Sequence, residues 1–226
     1  MLEKVRMEVE KLLENENSGH GMGHINRVLN LSLKFAQKEN ANKDVVALIA
    51  LLHDADDYKI FGEENAKNLT NTKMIMNKLG VSDEYQEQVI TNMQRIGYSK
   101  SLKGIRPETL EGKIVSDADM CDAIGVNGIL RTYQYGLKQG RPFFDKKIFP
   151  VQKITVDLYA SKAADTGVCH AFDKLLKLKG MMLTDAGREE AKARHQIMVD
   201  CLYHLFDEED APEWKEYLDN YLENIK

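Results

Sequence analysis

The chain has 226 residues, enough for one well-buried core, and its 43% hydrophobic and 30% charged content is that of an ordinary globular protein. A formal net charge of -5 excludes broad binding to polymeric nucleic acid, which needs a basic surface, while leaving room for local cations that hold a small phosphorylated ligand. No apolar run approaches the ~18 residues of a membrane span, and Met1-Leu2-Glu3-Lys4 opens a polar amphipathic stretch instead of a secretory leader, so a cytoplasmic protein without membrane contact is expected.

Only four prolines occur, at 107, 142, 150 and 212, and between them apolar residues recur near every 3.6 positions, which predicts an all-α fold in one domain. Helices are expected at residues 2–15, 23–39, 43–56, 63–79, 82–95, 108–122, 125–138, 150–163, 166–178, 185–206 and 212–225. Gly80 reads as a helix stop, with Ser82 and Thr184 as caps of the helices that follow them. Stretches 97–107 and 139–150 mix Gly, Pro and charge and read as the long loops, either of which would suit the border of an active site. The last helix carries Trp214, Tyr217, Leu218, Tyr221, Leu222 and Ile225 on one face, for packing or for a subunit contact, so a homodimer is compatible with it. Cys121, Cys169 and Cys201 are far apart, odd in number and outside any CxxC spacing, as expected of buried thiols.

Three polar clusters interrupt this apolar pattern: His20 and His24 with Arg27, then His53-Asp54, then Asp117-Ala118-Asp119 with Asp122. The middle one ends Val45 to Leu52, a run apolar on every side of a helix, so the His-Asp pair points into the interior, where a carboxylate is costly unless it is paired, hydrogen-bonded or bound to a cation. Imidazole with carboxylate suits a divalent ion such as manganese, iron, cobalt or zinc. Adjacent helical residues diverge by ~100°, so His53 and Asp54 share one ion only at a helix end. His24 and Arg27, three apart, share a helix face, and His20 falls on the loop entering that helix. Asp119 lies on a stripe with Val115, Ala118 and Asp122 and is a candidate buried carboxylate, yet periodicity alone does not separate it from Asp117. There is no GxxxxGK[ST] phosphate loop, no HExxH, no GxSxG elbow and no GxGxxG, which argues against serine hydrolases and dinucleotide oxidoreductases.

The order His24, His53-Asp54, Asp119 resembles the H…HD…D signature of the HD-domain metal-dependent phosphohydrolase superfamily. Ser18 to Val28, Leu51 to Lys59 and Asp117 to Tyr133, with His170 to Leu178 and Arg194 to Met198, look like its small bacterial nucleotide pyrophosphohydrolases, a similarity covering about residues 15–206. The resemblance implies an HD-domain helical bundle with a metal-site core at about 18–125 and additional C-terminal helices at about 150–226. It also implies one divalent ion held by His24, His53, Asp54 and Asp119, and it selects Asp119 over Asp117. One departure stands out: related sequences usually carry Asp after the histidine matching His20, whereas Gly21 stands here, followed by Met22 and Gly23 where aromatics are common, which bears on substrate fit and rate.

The activity implied by that branch is hydrolysis of a (deoxy)nucleoside triphosphate to monophosphate and pyrophosphate by metal-activated water, with manganese the favoured ion and iron, cobalt, magnesium or zinc as alternatives. Arg27, Lys59 and Arg131 are placed by motif to neutralise phosphate, and His20 or Asp57 to move a proton. The rivals are a phosphomonoesterase on nucleoside monophosphates or another small phosphate ester, and a catalytically silent metal- or nucleotide-binding module.

Overall fold

The computed structural model describes residues 1–14, 21–150 and 166–225. Among them are helices α1 (Leu2–Leu12), α2 (Met22–Glu39), α3 (Lys43–Leu52), α4 (Tyr58–Phe61), α5 (Glu63–Asn68), α6 (Thr70–Lys78), α7 (Asp83–Met93), α8 (Tyr98–Leu102), α9 (Leu110–Asp122), α10 (Gly125–Lys138), α11 (Gly167–Asp173), α12 (Asp185–Glu208) and α13 (Pro212–Asn224), with a 3-10 helix at Leu175–Met181 and no strand. The fold is all-α, as the periodicity predicts. The chain divides into two compact units, Met1–Asp119 with Leu183–Gly187, and Met120–Met182 with Arg188–Lys226.

The first unit is organised around α3. Asn42 caps it, its side-chain oxygen accepting from the Asp44 and Val45 amides at 3.1 and 3.3 Å. Every residue from Val45 to Leu52 is buried, against α1, α2 and α7. Six large aliphatic side chains withdrawn from water contribute on the order of 10 kcal/mol of gross hydrophobic stabilisation, an upper figure because the unfolded chain already hides part of that surface. Facing α3, α2 buries Ile25, Val28, Leu31, Ser32, Phe35 and Ala36 at helical spacing, and α1 buries Val5 and Val9.

Several boundaries differ from the sequence reading, each for a local reason. The helix expected over 43–56 ends at Leu52, with His53 at its C-cap and a turn through Asp56. The helix expected over 63–79 is broken at Leu69, which adopts φ 52°, ψ 49°. The cause is Asp56, buried nearby: its Oδ1 accepts from the Asn71 amide at 2.8 Å and its Oδ2 from the Thr72 amide at 2.9 Å, so a carboxylate takes the donors of a new helix start. The loop expected over 97–107 contains α8. Ser82 occupies the N-cap position of α7 but makes no side-chain capping bond. Thr184 does cap α12, its Oγ1 accepting from the Gly187 amide at 3.0 Å, and Gly80 has the expected positive φ of 62°. The helix expected over 150–163 lies outside the described residues beyond Pro150.

The second unit has an aromatic core. Trp214 on α13 is fully buried, stacked on Phe149 at 4.2 Å between ring centres and surrounded by Phe144, Phe172, Phe206 and Tyr217. Its indole N–H donates to the Lys146 carbonyl at 3.1 Å, and the Tyr221 hydroxyl donates to the Phe172 carbonyl at 2.6 Å. The apolar face of the last helix is therefore internal packing. Cys121 and Cys169 are buried as expected, whereas Cys201 is half-buried. The helix expected over 166–178 changes after Asp173 to the 3-10 turn, burying Leu175, Leu176 and Leu178.

Two buried groups of this unit titrate in opposite senses. Burial pushes the Asp173 carboxyl up to about 6, only partly offset by the Lys177 charge. Burial, with the Lys179 charge adding to it, pushes the His195 imidazole down to about 4 against a hydrogen bond with the Leu176 backbone. For Asp173 the folded state holds a proton that the unfolded chain has released, so stability falls as pH rises from 3.8 through about 6. For His195 the unfolded chain takes a proton that the folded state refuses, so stability falls as pH drops from 6.5 toward about 4. Thermal melts against pH should show Asp173→Asn more stable than wild type at pH 8, with the gain vanishing near pH 4. A gain independent of pH would mean that packing, not buried charge, governs the site.

Candidate metal centre

The end of α3 builds the centre. Where the helix stops, its last carbonyls lack amide partners, and His53 Nδ1–H donates to the Ala50 carbonyl at 2.7 Å. That bond places the proton on Nδ1 and leaves the Nε2 lone pair free to act as a ligand. Nε2 of His24, a buried residue in the first turn of α2, lies 3.0 Å from His53 Nε2. Asp54 Oδ2 lies 3.4 Å from His24 Nε2 and 3.6 Å from His53 Nε2. From α9, Asp119 Oδ1 lies 3.5 and 3.9 Å from the same two nitrogens. His24, His53 and Asp119 each offer a ligand atom within 4.8 Å of the others.

Two imidazole nitrogens and two carboxylate oxygens thus converge with few protons to share, an arrangement that repels itself unless a cation stands among them. Ligands at ~2.1 Å from an ion place neighbouring donor atoms ~3.0–3.4 Å apart, close to the separations found here, so these residues fit a divalent metal. Loss of water contact raises the Asp119 carboxyl, but its hydrogen bond with His24 and the charges of His53 and His24 outweigh that and hold it below the ordinary aspartate range, against a smaller opposing push from Asp54.

Asp119 is half-buried, whereas the fully buried carboxylate of α9 is Asp117. Asp117 accepts from the Leu183 amide at 2.9 Å, the Thr184 amide at 2.8 Å and the Thr184 hydroxyl at 2.7 Å, so it holds the start of α12. Gly187 is required there, since a Cβ at that position would stand 2.2 Å from Asp117 Oδ2. Asp122, also buried, accepts from Arg131 Nη1 at 2.7 Å; that ion pair lies in the second unit and gives the Arg131 guanidinium a structural partner.

The other expected residues are distributed as follows. Arg27 is half-buried one turn after His24, its guanidinium folded back toward Gly23, where a Cβ would stand 3.6 Å from Nη1. Asp57 Oδ1 accepts from the Lys59 amide at 2.9 Å and caps α4. Lys59 is exposed, its ammonium 5.7 Å from the centre of the Tyr58 ring. His20 lies outside the described residues. A cation missed in the sequence is Lys100 on α8, half-buried, with Nζ donating to the Met93 carbonyl at 2.8 Å. Burial lowers its pKa while the charge of Asp57 raises it. Its position in a segment expected to border the site was the only signal available.

An all-helical unit with two histidines and two aspartates converging from three helices defines a metal-dependent hydrolase centre. The HD domain family model matches residues 21–124. YpgQ of Bacillus subtilis (strain 168) is 32% identical over 211 residues, 93% of each chain. A crystal structure of an HD-superfamily hydrolase from Bacillus thuringiensis superposes with a TM-score of 0.72 at 31% identity, covering 93% of this chain and 97% of that one. The structure of Bacillus subtilis YpgQ in complex with ADP superposes with a TM-score of 0.67 at 28% identity, covering 92% and 97%. The chain belongs to the HD domain family of metal-dependent phosphohydrolases.

Mutations at the two α9 carboxylates should separate ligand from clamp. Asp119→Asn, like Asp54→Ala or His53→Ala, should abolish retention of a divalent ion by elemental analysis while leaving the helical circular dichroism intact. Asp117→Ala should instead cost about 3–5 kcal/mol, because it strands buried donors, and lower the melting temperature by roughly 10 °C with metal affinity nearly unchanged. Metal loss in Asp117→Ala with retention in Asp119→Asn would reverse the assignment.

Proposed function

We propose that this phosphohydrolase cleaves nucleoside triphosphates, deoxynucleotides foremost, to the monophosphate and pyrophosphate, with manganese as its ion. The observation that carries the nucleotide part is the ADP held by YpgQ, a protein matching this chain over nearly its full length. His24, His53, Asp54 and Asp119 would hold the ion, which when bound polarises a phosphoryl oxygen and lets water ionise near neutral pH. Arg27, set one turn from His24 and half-buried, binds the phosphate chain and orients it, since a guanidinium matches phosphate oxygens in pairs and cannot lose its charge. Asp57, whose Oδ1 is already engaged at the Lys59 amide, and His20 are assigned to proton movement at the attacking water and the leaving group. Lys59, exposed beside Tyr58, serves the outer phosphates.

The test is product analysis with metal-free protein, with and without added manganese, against the deoxy- and ribonucleoside triphosphates. Manganese-dependent monophosphate and pyrophosphate are expected, and orthophosphate as the released product would replace this reading with the phosphomonoesterase one. Arg27→Ala should lower kcat/KM by roughly 10- to 100-fold through loss of a charged phosphate contact, with metal retention unaffected.

A further inference from the structure

Lys100 on α8 is a half-buried cation that meets no carboxylate at hydrogen-bonding distance among the described residues. Its Nζ donates to the Met93 carbonyl at 2.8 Å, one of the carbonyls left over where α7 ends. An ammonium has three N–H donors, so two remain that no protein acceptor takes among the described residues. Other half-buried cations are neutralised directly: Arg95 meets Glu108 at 2.8 Å, Arg131 meets Asp122 at 2.7 Å and Arg194 meets Glu190 at 2.7 Å. Withdrawing a charge from water without such a partner is costly, and burial accordingly lowers the Lys100 pKa, with the charge of Asp57 pushing the other way. A lysine that only capped α7 would do so from solvent, with its charge hydrated.

The surroundings of Lys100 place it beside the metal centre, within the first unit. α7 packs on α3, and its end meets the start of α9: Thr109 Oγ1 donates to Asn92 Oδ1 at 2.9 Å, and a Cβ on Gly112 would stand 1.8 Å from that oxygen. Asp119 follows Gly112 by two turns of α9, or ~10 Å. The Asp57 amide donates to the Asp54 carbonyl at 3.1 Å, closing the turn that starts at one of the four converging side chains. The Met93 carbonyl ties Lys100 to the end of α7, and the pull of Asp57 ties it to that turn, so its ammonium stands between the two. Asp57 does not neutralise it at close range, since Asp57 Oδ1 is engaged at the Lys59 amide.

We infer that Lys100 is a substrate-binding residue that donates to phosphate oxygens of the nucleotide on the Asp57 side of the metal centre. The inference rests on the proposed action on a nucleotide polyphosphate, and it adds to Arg27 and Lys59 a cation from a helix that neither shares. The probe is inorganic pyrophosphate, titrated calorimetrically into the manganese-loaded full chain. Lys100→Met should bind it roughly 10- to 100-fold more weakly than wild type, as the loss of one charge-assisted hydrogen bond predicts. Lys100→Arg, which keeps the charge and the donors, should restore most of the affinity. Lys103→Met, which removes an exposed charge at the end of the same helix, should leave affinity unchanged, and all three variants should retain metal as wild type does. A Lys100→Met chain that melts lower yet binds pyrophosphate like wild type would reduce Lys100 to a cap of α7 and overturn the inference. Equal weakening by Lys103→Met, or a wild type that does not bind pyrophosphate, would overturn it as well. Whether triphosphates are the substrates is read separately from the products of the wild type, so that reading can fail while the anion site stands.

Discussion

The hydrogen bond from His53 Nδ1 to the Ala50 carbonyl couples the apolar core to the chemistry. α3 is buried from Val45 to Leu52, so the carbonyls left over at its C-terminal end are shielded from water. His53 satisfies one of them and in doing so fixes its own tautomer, with the free Nε2 directed at His24, Asp54 and Asp119. Had α3 continued through Asp54, the two side chains would have pointed ~100° apart and missed a common centre. The core thus determines where the helix ends, and the ending determines which nitrogen can bind a cation.

The aspartates around this centre divide into ligands and clamps by a repeated device. In Asp54-Ala55-Asp56 the first residue faces the imidazoles and the second accepts from the amides that start α6. In Asp117-Ala118-Asp119 the order is reversed: the first accepts from the amides at the start of α12 and the second faces the imidazoles. Each ligand therefore has, two residues away, a buried carboxylate held by backbone donors. A carboxylate bonded to several backbone amides is held in place, and each of these two anchors the start of a later helix. Imposing the left-handed conformation on Leu69 costs on the order of 1–2 kcal/mol, and the charged hydrogen bonds of Asp56 offset it.

The helical class and the polar side chains that converge at the centre were legible in the sequence because each leaves a local trace: a 3.6-residue apolar period, and polar residues set into it where burial would otherwise be costly. What was not legible came from contacts distant in sequence. Residues 63–79 contain no internal glycine or proline, and nothing in that window reveals that Asp56 will claim the amides of Asn71 and Thr72 and divide the helix. Asp117 and Asp119 are indistinguishable by periodicity; the family resemblance chose between them, and the structure supplies the reason in residues 183 and 184, more than sixty positions away. Ser82 shows the converse, a capping residue in the right place whose side chain makes no capping bond.

Charge balance bears on how such a centre could attract an anionic substrate. Two carboxylates and two neutral imidazoles around a divalent cation sum to zero, and the chain as a whole carries a formal charge of -5. Long-range steering thus works against a polyphosphate, and at physiological ionic strength it is screened beyond ~8 Å in any case. Attraction of an anion to such a centre must come from cations close to it. Arg131 is partnered by buried Asp122, and Lys59 is exposed and solvated beside Tyr58. Arg27, half-buried one turn from His24 and on the same helix face, carries a charge that no change of pH in the working range removes.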